Sequence, residues 1–296
     1  MRISPILLAG GLRESKIEQQ IGRPPQLFPV RNDLRLIDAW VERFEMSGGV
    51  SLPMRAVVSS LGGCRIMQEE VSSSVCNTVV DPRPHRGTAG VLADIARKDL
   101  ERGEDVDYFL AVDRSSCPPE TIRPFLDQLG DTPDVLIAVS EIDRVAGMMA
   151  IRCEALGLVP DVGYFDLKEQ FVQKVIAQGL VVRATPVMHR ALRIDSLASW
   201  LETIRFLRDP DYREQRWPDA IVEGVCSIDS SAELGSAKVV DSVIMSGARL
   251  GDGVVVARSI VAEGAVIRDG VQVIDSVVGC SEIRGGIKTK RSGAFR

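Results

Sequence analysis

Three short stretches of the chain carry residue types suited to phosphate or metal chemistry. The first, LLAGGLRESKIEQQIGRPPQLFPV, leads from an apolar run through Gly10 and Gly11 to Arg13, Lys16 and Arg23 and a proline-rich turn. Backbone N–H groups of a glycine-rich turn can approach phosphate oxygens closely, and a neighbouring guanidinium or ammonium neutralises charge. The second, HRGTAGVLADIA, places Gly87 and Gly90 around Thr88 at a helix start. Thr88 reads there either as an N-cap or as part of a binding loop. The third, FLAVDRSSCPPETI, ends an apolar strand on Asp113. A carboxylate at a strand's exposed end suits a hard cation, and the same residue could instead cap the turn Ser115–Pro119. His85, just before the second stretch, reads as an exposed loop residue within reach of a ligand.

Such groups need a scaffold. Up to residue 205 the chain alternates strand-like apolar runs with helical stretches. The runs are Ser4–Ala9, Arg55–Ser59, Thr78–Asp81, Tyr108–Val112 and Val135–Val139. Continuous apolar strands suit a parallel sheet covered on both faces. Helices are expected over Thr88–Arg102, Pro119–Leu129, Asp166–Gln178 and Ser196–Leu207, the third stopped by Gly179. The expected class is α/β with a mostly parallel sheet, which takes ligands at the carboxyl ends of its strands. That directs attention to Gly10–Gly11, Asp81–Gly90 and Asp113.

The C-terminal part repeats. DSVIMSGARLGDGVVVA is followed by RSIVAEGAVIRDGVQVI and then DSVVG, so Ser242, Ser259 and Ser276 recur every 17 residues. Aliphatics return about every six residues, at Ile244, Leu250, Val256, Val261, Ile267, Val273 and Val278. That spacing fits neither an α-helix nor a simple alternating strand. It fits a coil of short flat strands, each sending one aliphatic side chain inward, and it resembles hexapeptide-repeat left-handed β-helices.

The three N-terminal stretches, in this order, resemble the sugar nucleotidyltransferases, in which AGGxGTRL is followed by PK and LxPV. Gly10, Gly11, Pro24, Leu27, Pro29 and Val30 match that pattern. RIDSLASWLETI resembles a later family segment of the DIGTPESYLEA type. With the repeat behind them, the matches cover residues 5–205 and resemble ADP-glucose pyrophosphorylases and mannose-1-phosphate guanylyltransferases. The resemblance implies a Rossmann-like nucleotidyltransferase domain followed by a left-handed parallel β-helix. It implies Mg²⁺-dependent nucleotidyl transfer from an NTP to a sugar 1-phosphate, with release of pyrophosphate. It carries nucleotide binding onto Leu8, Ala9, Gly10, Gly11, Gly87 and Thr88. Catalytic roles fall on Arg13 and Asp113, and metal ligation on Asp113 and Asp195.

The sequence also departs from the family. The GT pair of the first loop is missing, Pro25 stands at the family's Lys, and Arg193 stands at its second metal Asp, two positions before Asp195. Lys16 and Arg23 are the cations near the first change. The alternative implied is a weak or inactive homologue acting as a nucleotide- or sugar-nucleotide-binding regulatory subunit.

Composition bounds the rest. The 296 residues are 45% hydrophobic and 26% charged, enough for a sizeable core, and the net charge of −5 argues against a broad nucleic-acid footprint. No apolar run approaches a membrane span or a signal-peptide core. Cys64, Cys76, Cys117, Cys153, Cys226 and Cys280 form no CxxC pair and read as reduced thiols of a cytoplasmic protein. His85 and His189 both lie outside the repeat, which argues against an acyltransferase relying on a coil histidine. The expected organisation is an α/β domain over 1–207, a linker over 208–220, the repeat over 221–283 and a basic tail over 284–296. A homo-oligomer is expected, formed through the flat faces of the repeat.

Overall fold

The computed structural model of the chain describes residues 1–10, 14–51, 53–59, 67, 70–71, 76–81, 83, 85–142, 144–208 and 217–280, with the backbone alone at 282–283 and 287–289. In chain order the first elements are β1 (Ile3–Leu8), α1 (Lys16–Ile21), β2 (Pro29–Arg31), β3 (Leu34–Arg35) and α2 (Leu36–Ser47). Next come β4 (Met54–Ser59), β5 (Cys76–Asp81), α3 (Gly87–Glu101), β6 (Tyr108–Asp113) and α4 (Arg123–Asp127). They are followed by β7 (Val135–Ser140), β8 (Val145–Arg152), α5 (Val172–Ala177), β9 (Val182–Met188) and α6 (Leu197–Phe206). Beyond residue 220 every strand is two or three residues long.

The chain divides into two compact units, Met1–Leu12 with Trp40–Ala191 and Arg13–Ala39 with Leu192–Arg296. Residues 13–39 and 192–207, expected with the α/β domain, fall in the unit that contains the repeat.

The first unit is built on a seven-stranded sheet of order β5-β4-β1-β6-β8-β7-β9. Strands β5, β4, β1 and β6 are mutually parallel, as are β7 and β9, while β8 runs antiparallel to both β6 and β7. The apolar runs fall where expected, and Ile3–Leu7 and Tyr108–Val112 are closed to solvent, as is Ala146–Ile151 of β8, whereas Thr78–Asp81 at the sheet edge leaves Val80 exposed. Burial specifies a strand but not its direction, so the reversed β8 carries no separate signal. Helix α3 buries Ala89, Leu92 and Ala93, spaced three and four apart on one face. They join Ile6, Phe109, Met149, Phe171 and Val175 in one core.

Two expected helices differ in detail. In place of Pro119–Leu129 the helix is α4, followed by a 3₁₀ turn over Gln128–Asp131. Pro124 sits in the first turn of α4. A helix begun at Pro119 would put that ring in its interior, against the carbonyl four residues back and without an N–H. The stretch expected from Asp166 opens with a π-type turn, Leu167–Phe171, before α5. Asp166 caps it by accepting the N–H groups of Lys168 and Glu169 at 2.8 and 2.9 Å.

In the second unit the short strands form three parallel sheets of five, four and three strands. Register follows the 17-residue period: Val239, Val256 and Val273 stack in one sheet, and Ile244, Val261 and Val278 in another. All six are buried, and a fully buried aliphatic of this size is worth about 1.5–3 kcal/mol. The recurring serine also has a structural reason. Ser242 Oγ accepts the Ser259 N–H, and Ser259 Oγ accepts the Ser276 N–H, both at 3.1 Å. Each hydroxyl donates at 2.7 Å to the carbonyl two residues before it. This buried ladder runs through consecutive coils.

The segment 13–39 packs within this unit. Phe28 stacks on Trp200 with ring centroids 4.1 Å apart, and the indole N–H donates to the Pro29 carbonyl at 2.8 Å. The Ser227 hydroxyl donates to the Asn32 carbonyl, and Asp33 accepts the Ser230 N–H at 2.7 Å. Arg23 is ion-paired to Glu263. Pro25 is buried in a 3₁₀ turn with Gln26 and Leu27.

Candidate functional site

The carboxyl ends of β1, β4 and β5 and the start of α3 enclose a cavity of about 250 Å³ in the first unit. Leu8, Val57, Val58 and Val91 supply apolar walls, and Gly10, Ser59, Asp81, His85, Arg86, Gly87, Thr88 and Tyr164 complete the lining. Of the residues expected to bind nucleotide, Leu8, Gly10, Gly87 and Thr88 therefore come together. Ala9 is buried beside them, and Gly11 and Arg13 lie outside the described residues.

The glycines are explained first by packing. The Gly10 N–H donates to the Val57 carbonyl at 2.8 Å, and a Cβ on Gly10 would stand 3.1 Å from the Ser59 nitrogen. Gly87 has φ +74°, and a Cβ there would fall 2.5 Å from the Phe165 carbonyl oxygen. That oxygen accepts the N–H groups of Ala89 and Gly90 at 3.1 and 3.3 Å, so the first turn of α3 is capped from within the protein. Thr88 is not the N-cap, since α3 already begins at Gly87 with Arg86 as the cap residue. Its hydroxyl accepts the Leu167 N–H at 2.9 Å and donates to Asp166 at 3.1 Å.

Arg86 fixes the same loop from the other side. It is buried and donates to the carbonyls of Gly163 and Pro160, both at 2.8 Å, with Asp94 at 3.4 Å. The Phe165 N–H returns to the Arg86 carbonyl at 2.8 Å. The loop presents Tyr164 to the cavity, half-exposed, its phenol held above its ordinary pKa by partial burial and by Asp166 and Glu169. A neutral tyrosine offers a face for a planar ring and a hydroxyl donor. His85, with φ +81°, holds a left-handed backbone that is uncommon for a residue with a side chain.

Asp113 ends β6 and is paired in register with Leu8 of β1. One carboxylate oxygen accepts the Ser115 N–H and hydroxyl, both at 3.3 Å; the other stands 3.6 Å from the Lys168 ammonium. Both sequence-level readings of Asp113 thus meet a third, an ion pair. Asp195 belongs to the second unit, exposed, with its carboxylate accepting the Ser199 hydroxyl at 3.1 Å. Arg193 and Asp195 are exposed where Leu192 and Ile194 are buried, so the two share one face of an extended stretch.

Neither a protein-family model nor a curated protein matches the chain.

The donors around Asp113 do not fit a Mg²⁺ site as they stand. One of its oxygens is turned to an ammonium, whereas Mg²⁺ seeks carboxylate, phosphate and water oxygens. Among the described residues no three of His, Cys, Asp or Glu come together to hold a metal. Nor is any helix among them long and apolar enough to cross a membrane.

Sequence reasoning passed over Ser59, Tyr164 and Lys168. Ser59 closes a strand whose apolar run was noted, so the rule that ligands sit at strand ends points to it. Tyr164 and Lys168 lie in a loop and a helix start brought in by tertiary packing, and nothing local marks them.

Proposed function

We propose that the chain binds a nucleotide or sugar nucleotide, using a sugar-nucleotidyltransferase type of fold as a binding or regulatory subunit. The observation that carries this reading is the cavity at the ends of β1, β4 and β5. Its apolar walls suit a base, and Ser59, Asp81 and Thr88 provide polar groups at its edge. In this reading the sheet is Rossmann-like, Gly10 stands at the strand end nearest the phosphates, and the repeat is a left-handed β-helix through which copies associate. Pro25 and Arg193 at the family's Lys and Asp positions support binding over turnover.

The test is thermal stabilisation of the purified chain by each common NTP and by a panel of nucleotide sugars. Stabilisation by one base class, abolished when Val91→Trp fills the cavity, is expected. A flat panel from folded protein would end this reading.

Mg²⁺-dependent transfer to a sugar 1-phosphate is the second reading. It is favoured by one observation, the position of Asp113 at the carboxyl end of β6 beside Leu8. Pyrophosphate release that needs both substrates and is lost in Asp113→Asn would establish it.

A further inference from the structure

We propose that Lys168 is a phosphate-binding residue of this site, positioned by Asp113, and that phosphate binding there needs no divalent metal. The proposal rests on the nucleotide reading above and assigns the group that holds the charged end of the ligand.

Sheet order gives the direction in which a ligand would extend. From β1 the chain proceeds to β4 and β5 on one side, and then crosses to β6 on the other. An open α/β sheet takes its ligand outside the carboxyl ends at such a reversal. The cavity lies over β5, β4 and β1, and β6 is the next strand along. A base seated in the cavity would direct its phosphates along the strand ends toward β6, where Asp113, in register with Leu8 of the cavity wall, meets Lys168.

Three backbone donors of the two glycine motifs are used within the protein: Gly10 donates to Val57, and Ala89 and Gly90 donate to Phe165. A side chain can add positive charge at this edge, and Lys168 is held there at two points. Its N–H donates to Asp166 at 2.8 Å, and the N–H of the preceding Leu167 donates to Thr88, which lines the cavity. The ammonium stands 3.6 Å from Asp113, with the side chain 46% exposed. An ammonium carries three donors, so one carboxylate leaves capacity for a phosphate oxygen. Lysine binds phosphate as a point charge, which the end of a half-exposed side chain can deliver.

The experiment measures binding of adenosine, guanosine, cytidine and uridine and their 5′-diphosphates to the full chain by calorimetry, in EDTA and in Mg²⁺. For the base that binds, the diphosphate is expected to bind at least tenfold more tightly than the nucleoside in EDTA. Lys168→Gln should remove that advantage and leave nucleoside affinity unchanged, a split that a merely structural role would not produce. Asp113→Asn should still bind the diphosphate in EDTA, but more weakly than the parent chain, because Lys168 loses the carboxylate that positions it. Circular dichroism and thermal melting establish that both variants are folded. Diphosphate binding that appears only with Mg²⁺, vanishes in Asp113→Asn and ignores Lys168→Gln would overturn the assignment. So would nucleoside binding to which phosphates add nothing, with the nucleotide reading left intact. Binding by none of the eight compounds would overturn both.

Discussion

The hydroxyl of Thr88 is shared between two backbone segments, accepting the Leu167 N–H at 2.9 Å while donating to the Asp166 carboxylate at 3.1 Å. It joins the first turn of α3 to the start of the helix that carries Lys168. Thr88→Val keeps the shape and leaves the Leu167 N–H without its acceptor, which costs about 1–3 kcal/mol for a buried group. Thr88→Ser should recover most of that. Urea unfolding with an unchanged slope is the measurement, and equal midpoints for the two variants would refute it.

Gly87→Ala should be worse. The new Cβ meets the Phe165 carbonyl oxygen at 2.5 Å from a backbone at φ +74°. Left-handed strain alone costs about 1–3 kcal/mol, and here the 160–165 loop has to move as well. We expect a lower melting temperature together with weakened nucleotide stabilisation, because the same loop presents Tyr164.

Arg55 donates from a single nitrogen, Nη1, to both carboxylate oxygens of Asp99 at 2.9 and 2.7 Å, with side chains 16% and 4% exposed. Arg55 also donates to Ser4 Oγ at 2.9 Å and lies over the Phe109 ring. Asp99→Ala strands a buried guanidinium and should cost about 3–5 kcal/mol. A double variant, Arg55→Met with Asp99→Leu, should regain much of the loss. Chemical denaturation of the three variants compares them directly; a double variant less stable than Asp99→Ala would contradict this.

The thiols predict a labelling pattern and an alkaline limit. Burial pushes the Cys153 thiol from 9.0 up to about 12 and raises Cys117 further, whereas Cys280 is exposed. Alkylation of native protein near pH 8 should reach Cys280 well before Cys117 or Cys153, as read by peptide mass spectrometry. The sign of the linkage follows. Unfolded thiols ionise from about pH 9, while the buried ones stay protonated, so stability falls as pH rises from 9 toward 12. Replacing Cys153 by Ala should flatten that fall, and an unchanged alkaline slope would sink the idea.

Much of the scaffold was legible because burial leaves a local mark. The runs that became β1, β4, β6 and β7 are continuous and apolar, and the Ser242, Ser259, Ser276 period is the ladder's own register. The helix before Arg123 was misplaced because Pro124 governs it rather than Pro118 and Pro119. Within the site, Leu8, Gly10, Gly87 and Thr88 could be named from strand ends and glycine spacing. What could not be read is the use to which their polar groups are put. The Phe165 carbonyl caps α3, and Lys168 meets Asp113, through contacts between segments 50 or more residues apart in sequence. The membership of residues 13–39 likewise depends on Trp200 and the first coils, which no local pattern in that segment announces.

That membership sets an order of events during synthesis. Asn32 waits for Ser227, 195 residues later, and Pro29 waits for Trp200, 171 residues later. The sheet unit can close around Trp40–Ala191 while the early segment is still without its partners, with Phe28 lacking the Trp200 ring that stacks on it. Long-range pairing of this kind slows completion and lengthens the interval of aggregation risk. A nascent chain stalled before Leu192 should therefore recruit holdase chaperones through its first forty residues, and lose them once the coils emerge.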